Sequence, residues 1–500
     1  MINHVLDYLE KTVKEVPDKI AFSGENSSLT FRELYDNSKR IGSNLILKGG
    51  YVKEPILVFM EKSPEEICTF FGVIKSGSYY VPIDEEMPAS RIDLIIENCK
   101  PRLVIYDDVT AEKVDNLNFA GKKIHYRELL EGETDEVALQ GIYETTIDTD
   151  PIYIVFTSGS TGVPKGVVAC HRSVIDYVEH LSEVMGFNRD TVFGNQSPLY
   201  FDACLKEMYP TIMFGATTHL IPRQLFMQPK VLVEYLNEKK INTVCWVVSA
   251  LTMISAFKTF DLVKPEYLHT IAFGSEVFPK KQYRIWREAL PNASFTNLYG
   301  PTEATGMSCY YKCERELSDE EPIPIGQPFK NTRVLLLDED GKTVPEGDPG
   351  EICLQGTCVT LGYYNNPEKT NESFVQNPLN PHYPELIYRT GDMGYINMYG
   401  ELVFASRKDY QIKHMGHRIE LGEIEADVSK VEGIKICACT YLKEKDKIVL
   451  HYVGDMDEKS LTAALKEMLP RYMLPAKMHR MEEMYFTPNG KIDRKRLETV

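Results

Sequence analysis

The stretch Thr157-Ser158-Gly159-Ser160-Thr161-Gly162-Val163-Pro164-Lys165-Gly166 concentrates groups that suit one kind of ligand. Its glycines free the backbone to turn N–H groups onto an anion. The hydroxyls of Thr157, Ser158, Ser160 and Thr161 add donors, and Lys165 adds positive charge. The apolar run IYIVF (152–156) precedes it, and a helix is expected to begin near His171. This is a phosphate-cradling loop in type but not a Walker A loop: Pro164 precedes Lys165, and Gly166 stands where Ser or Thr is needed. A kinase-like ATPase is disfavoured on that ground.

Further motifs follow in order along the chain. LTFRELYDNS (29–38) and VIKSGSYYVPID (73–84) precede the loop. After it come NLYGPTEAT (297–305), GEICLQGTCVTLGYY (350–364), YRTGDM (388–393), SRKDYQIKHMGHRIELGEIE (406–425), LPRYMLP (469–475) and NGKIDR (489–494). Together they resemble the adenylate-forming superfamily, which includes acyl-CoA synthetases, luciferases and the adenylation domains of nonribosomal peptide synthetases. The resemblance spans nearly the whole chain. YVPID, QIK, RIELGEIE and NGKIDR resemble the amino-acid-activating branch more than the acyl-CoA branch.

Adenylation brings a carboxylate onto the α-phosphate of ATP and expels pyrophosphate. Both partners are negative, so catalysis is mainly charge neutralisation and in-line positioning. Glu303 suits Mg²⁺, which takes one or two carboxylates plus phosphate oxygens, and Thr302 can bond the α-phosphate. The resemblance implies that Asn297, Tyr299, Gly300 and the Gly274-Ser275-Glu276 turn hold the adenine. It also implies that Asp392 accepts the ribose hydroxyls and that Arg407 contacts ribose or phosphate. Lys491 is implied to reach the reacting carboxylate, so Lys491, Thr302 and Lys413 are the residues expected to act in catalysis. A silent scaffold would lack Lys491, Glu303 or Asp392, and all three are present.

The same resemblance places the substrate. Phe201-Asp202-Ala203-Cys204 matches the segment whose Asp pairs with the substrate α-ammonium; the alternative is that Asp202 caps a helix beginning at Ala203. Ala203, Lys206, Trp246, Ile271, Phe273, Leu298, Gly306 and Met307 are implied to surround the side chain. Lys206 either favours an acidic or acceptor-bearing substrate, or pairs with Asp202 one helical turn away or turns outward. Relatives that ligate D-alanine to a carrier protein have a small Cys where Phe273 stands, which argues against D-alanine here.

These residues need a scaffold, and the patterning supplies one. Strand-like runs alternate with helical patterns at KIAFS (19–23) before 30–48, ILVFM (56–60) before 64–76, LVIYD (103–107), IYIVF, TVCWVV (243–248) and HTIAFG (269–274). Such alternation indicates βα units and a mostly parallel sheet. From about 323, short strands (VLLLD, GEICLQG, ELVFASR) separated by turn signals indicate a β-rich layer. A pattern of helix (420–431), strand (436–442), strand (447–453) and helix (458–469) then closes the chain.

The expectation is an α/β protein with a large domain, 1–406, of βα-layered subdomains plus a β-rich layer, and a small mobile α+β domain, 407–500, hinged at 407–409. Asp409 matches the family's hinge residue, and Ser406 replaces the Gly usual before the hinge Arg. Lys413 and Gly416 lie on the segment implied to line a thiol tunnel. The chain ends at Val500, nine residues after Lys491. The resemblance therefore implies a freestanding enzyme loading a separate phosphopantetheinylated carrier protein, with CoA as the alternative acceptor.

Net charge is −17 and the pI about 5.3, which disfavours non-specific binding to nucleic acid or anionic membrane. The N-terminus has no apolar run of signal-peptide length, and no run of spanning length occurs, so no membrane insertion is expected. Eleven Cys, an odd number, suit a reducing cytoplasm, and neither Cys309/Cys313 nor Cys437/Cys439 has a companion at zinc spacing.

Overall fold

A computed structural model describes residues 2–159, 163–318, 321–408, 411–485 and 492–499. The chain divides into two compact units: residues 1–85, 100–155 and 167–406, and residues 86–99, 156–166 and 407–500. One break falls between Ser406 and Arg407. The second unit also takes in two segments from earlier in the chain, which no local pattern announces.

In the first unit, a nine-stranded sheet runs in the order Gln327–Pro328, Cys309–Lys312, Ser294–Tyr299, Thr270–Gly274, Thr243–Val247, Val192–Asn195, Thr217–Leu220, Ile20–Ser23, Ser28–Thr30. From Ser294–Tyr299 to Ile20–Ser23 every pairing is parallel. Parallel strands covered on both faces read as continuous apolar runs, and Thr243–Val247 and Thr270–Gly274 are buried throughout. Alternation sends Cys245 and Ala272 to one face and Trp246, Ile271 and Phe273 to the other. Cys245 and Ala272 join a core with Tyr177, Cys204, Leu205, Leu298 and Met307. Trp246, Ile271 and Phe273 join a separate core with Leu232, Leu251 and Trp286.

A six-stranded sheet has the order Lys122–His125, Leu103–Tyr106, Pro55–Phe59, Tyr79–Ile83, Pro151–Thr157, Lys165–Cys170. Here the structure departs from expectation: a strand, Lys165–Cys170, stands between the phosphate loop and the helix His171–Met185. Its run of Val167, Val168, Ala169 and Cys170 is buried and suits a strand. Lys165 therefore opens a strand, and no helix N-terminus follows the loop directly. The β-rich layer pairs Thr332–Leu337, Gly350–Gly356, Leu386–Ile396 and Phe374–Gln376, with Leu402–Arg407 on the long strand.

The second unit pairs Gln411–His414 with His417–Glu420 and builds a three-stranded sheet from Ile434–Leu442, Lys447–Gly454 and Lys477–Arg480. Helices Leu421–Val428 and Glu458–Lys466 close a core on Ile424, Leu450, Tyr452 and Leu461. The Arg91 guanidinium pairs with the buried Glu423 carboxylate in this unit.

Candidate active site

In the first unit the nucleotide motifs converge. Strand Ser294–Tyr299 runs into the single 3₁₀ turn Thr302–Ala304. Gly300 is required there: a Cβ would lie 2.5 Å from both the Gly306 carbonyl oxygen and Met307 Cα. The turn leaves Glu303 fully buried. The Tyr363 hydroxyl donates to Glu303 Oε1 at 2.7 Å, and the Thr360 N–H and hydroxyl both donate to the Glu303 carbonyl at 3.0 Å. Sequence reasoning assigned Tyr363 no role, although it stands in the GYY segment.

Asp392 is brought to the same strand end. The Tyr299 hydroxyl donates to Asp392 Oδ2 at 2.6 Å, and the Asp392 N–H donates to Thr390 Oγ1 at 3.0 Å. Burial, then the Asp392 charge, pushes the Tyr299 phenol well above its ordinary pKa, so it remains a donor at any working pH. Asn297 donates its amide to the Pro324 carbonyl at 2.8 Å. In the Gly274-Ser275-Glu276 turn, Ser275 has φ +68°, a left-handed conformation that costs about 1 kcal/mol or more in a non-glycine residue. Glu276 accepts the Ser249 N–H at 2.8 Å at the start of helix Val248–Ala256.

Buried polar side chains gather along helix Leu205–Phe214. The 3₁₀ turn Asp202–Cys204 precedes this helix, and Asp202 is the first residue of that turn, not its cap. Phe201, Asp202 and Ala203 are half-buried, whereas Lys206 and Glu207 are buried at 4% and 1% exposure. Lys206 therefore does not turn outward. The Asn195 amide donates to Glu207 Oε2 at 3.3 Å, and the Lys62 ammonium caps the Asn195 and Gln196 carbonyls at 3.4 and 3.3 Å. Burial raises Glu207 to about 7 and lowers Lys62 to about 8. Of the residues expected around the side chain, Leu298 and Met307 join the core that holds Cys245 and Tyr177, and the Lys206 charge bears on the Cys245 thiol. Trp246 and Phe273 meet Phe226 and Phe278 in the other core, with ring centroids 5.3 and 5.0 Å apart.

The second unit holds the phosphate loop. Ser160, Thr161 and Gly162 lie outside the described residues. Thr157 Oγ1 is buried without a hydrogen-bond partner among those described, and Ser158 donates to the Arg418 carbonyl at 2.8 Å. A Cβ on Gly159 would lie 2.0 Å from the Val163 carbonyl oxygen, so glycine alone fits there. Arg407 ends the strand Leu402–Arg407, in which Ser406 has no positive φ. Asp409 and Lys491 lie outside the described residues. Lys413 belongs to the strand Gln411–His414, its carbonyl accepts the Tyr441 hydroxyl at 3.3 Å, and Gly416 turns the hairpin at φ +81°. Sequence reasoning also missed the ion pair of Arg494 with Glu425 at 2.7 Å, although both stand in recognised motifs.

The cysteines are all free and buried. Among the described residues no group of three or more His, Cys, Asp and Glu is placed to hold a metal, and no helix is long and apolar enough to cross a membrane.

A buried Asp–Tyr pair and a tyrosine-held glutamate at one strand end, with a glycine- and hydroxyl-rich loop elsewhere in the chain, are features of a nucleotide-consuming enzyme. A family model described as AMP-binding enzyme matches residues 9–364, so the chain belongs to that family; it is an ATP-dependent, AMP-forming enzyme. It is 32% identical over 512 residues to the D-alanine--D-alanyl carrier protein ligase of Bacillus anthracis, covering 99% of this chain and 98% of that protein. It is 31% identical over 503 residues to a plipastatin synthase polypeptide of Bacillus subtilis, but spans 14% of that protein's length. A solved nonribosomal peptide synthetase protein with adenylation and carrier domains, bound to a vinylsulfonamide inhibitor, superposes with a TM-score of 0.85 at 25% identity, over 99% of this chain and 84% of that one.

Proposed function

We propose that this enzyme activates an α-amino acid as its aminoacyl-AMP and passes the aminoacyl group to the phosphopantetheine thiol of a separate carrier protein. Asp202 carries the reading. Its negative charge bears on the buried hydroxyls of Tyr153 and Tyr177. An α-ammonium matches the charge of a carboxylate set among aromatic side chains, whereas a fatty acid brings no positive charge to it.

In the first half-reaction the carboxylate attacks the α-phosphate and pyrophosphate leaves. Asp392, oriented by Tyr299, accepts the ribose hydroxyls. Asn297 and the turn at Ser275 bound the adenine, and the Thr157–Lys165 loop and Thr302 hold phosphate oxygens. Glu303 has the single-carboxylate character that suits Mg²⁺ completing its shell on phosphate, with Tyr363 fixing the carboxylate. Mg²⁺ would neutralise charge on the phosphates. Lys491 stabilises the charge that builds on the reacting oxygens.

Residues 1–406 would form the nucleotide- and amino-acid-binding domain. Residues 407–500 would form the mobile domain, hinged at Asp409, which presents Lys491 first and then the Lys413–Gly416 face to the thiol. The cysteine count supports a reducing cytoplasm as its location.

Pyrophosphate exchange across the twenty amino acids, D-alanine, aryl acids and fatty acids tests the first step. Exchange restricted to aryl or fatty acids would overturn it. Loading of a holo-carrier in competition with CoA tests the second. D-alanine is the alternative substrate, favoured by the full-length likeness to the Bacillus ligase. Preferred exchange with D-alanine would establish it.

A further inference from the structure

The Asn297 amide is fixed in one orientation. It donates to the Pro324 carbonyl at 2.8 Å, and only the NH2 side of an amide can face a carbonyl oxygen. That bond sets which way the amide's only acceptor, its own carbonyl oxygen, is turned. A 6-amino purine brings a donor to an acceptor, whereas a 6-oxo purine would set two acceptors against each other. The base preferred at Asn297 therefore depends on where the Pro324 carbonyl stands.

Pro324 lies in a segment tied at both ends. Ahead of it, the Arg315 guanidinium forms a two-pronged pair with Glu321, Nη1 donating to Oε2 at 3.0 Å and Nη2 to Oε1. Behind it, the Ile325 and Gly326 N–H groups donate to the Leu402 carbonyl at 2.9 and 3.0 Å, and the Leu402 N–H donates to the Gly326 carbonyl at 2.8 Å. Glu401, next to Leu402, accepts the same guanidinium, from Nη2 at 2.8 Å. The Asn397 amide holds Glu401 in turn at 2.8 Å, and the Tyr399 ring centroid lies 4.1 Å from the guanidinium carbon. One cation thus joins the start of the segment to the strand beside its end.

A lone exposed ion pair contributes little, because water competes for both charges. Here a planar cation spans two carboxylates and stacks on a ring, and all three charged side chains are partly buried. The fork of an arginine suits this geometry and a lysine does not. The hydrogen bonds from Arg315 hold the Glu321 carboxyl below its ordinary pKa, so the pair stays charged at neutral pH.

We propose that Arg315 is a positioning residue for the nucleobase: bridging Glu321 and Glu401, it holds the Pro324 carbonyl on the Asn297 amide and so sets a preference for a 6-amino purine. This rests on the reading of Asn297 as an adenine contact. Arg315 acts on the base only through Pro324 and Asn297.

Titration calorimetry of the full-length protein with ATP and with inosine triphosphate, whose base carries a 6-oxo group, reads the preference as a ratio of Kd values. Wild type should bind ATP about tenfold more tightly or better, the worth of one hydrogen bond made or refused. Asn297→Ala should erase the ratio. Arg315→Met should reduce it to about threefold or less, and Arg315→Lys, which keeps the charge but not the fork, should fall between. A wild-type ratio in Arg315→Met, whatever its thermal stability, would make Arg315 purely structural and overturn the inference while leaving Asn297 at the base. A wild-type ratio in Asn297→Ala, or no preference in wild type, would overturn both. Should Arg315→Met fail to fold, Glu321→Gln takes its place, with the same fall expected and the same unchanged ratio counting against the inference.

Discussion

The Tyr299 hydroxyl donates to the Asp392 carboxylate at 2.6 Å, joining two motifs 93 residues apart. Tyr299 ends a strand of the nine-stranded sheet, and Asp392 lies in the long strand of the β-rich layer. The bond fixes the carboxylate before nucleotide arrives. Tyr299→Phe should therefore raise the KM for ATP in pyrophosphate exchange about tenfold, corresponding to roughly 1–2 kcal/mol, with kcat less affected. Asp392→Asn should cost more. An unchanged KM in both variants would remove Asp392 from the ribose site.

Tyr363 and Glu303 form the second such pair. Tyr363→Phe frees Glu303 Oε1 from its donor and should shift the Mg²⁺ concentration needed for half-maximal exchange upward. Glu303→Gln should abolish Mg²⁺ activation. Identical Mg²⁺ titrations for wild type and both variants would count against Glu303 as the ligand.

Lys491→Ala should abolish adenylate formation while leaving ATP affinity within a few-fold; near-wild-type exchange would sink that assignment. The chain on either side of the segment carrying it is tied down. The Asp493 N–H donates to the Tyr485 carbonyl at 2.9 Å, and the Arg494 guanidinium reaches both Glu425 oxygens at 2.7 Å. Glu425→Gln should lower the kcat of exchange by about an order of magnitude, because it replaces a bidentate ion pair with a single contact to an uncharged carbonyl. The KM for ATP should not move. A fall in thermal stability alone, with kcat intact, would make the pair structural.

Acid should loosen the N-terminus. The Val5 N–H donates to His171 Nδ1 at 3.1 Å, which requires an unprotonated nitrogen. Burial holds His171 down to about 4, and burial with the neighbouring His171 holds His4 well below its ordinary value. Folded pKa values below the unfolded ones mean that the unfolded chain takes up protons first as pH falls. The stability these rings contribute is complete above about 6.5 and is lost as pH falls through about 4. Thermal unfolding midpoints measured from pH 7 to pH 4 should drop more steeply for wild type than for His171→Asn. Parallel curves would place the acid-sensitive groups elsewhere.

Much of this protein is written locally. Periodicity located the strands Ile20–Ser23, Pro55–Phe59, Leu103–Tyr106, Thr243–Val247 and Thr270–Gly274 to within a residue or two, because burial on both sides leaves continuous apolar runs. The phosphate loop was legible because its chemistry is carried by adjacent residues. Its sequel was not: Lys165–Cys170 is short and apolar, so it merged with the helix that follows.

Side-chain partnerships were the part that local pattern could not reach. That Tyr363 serves Glu303, that Tyr299 serves Asp392, and that Arg494 serves Glu425 all depend on approach between segments 60 to 93 residues apart. The fate of Lys206 depended on it too. From sequence, a lysine four residues after an aspartate reads equally as a surface pair or as a buried cation. Tertiary packing leaves it 4% exposed, so it is not a surface lysine. The motifs alone determined that this chain adenylates a carboxylic acid. Tertiary packing decided which polar side chains meet and which are buried, because both depend on approach between segments far apart in the chain.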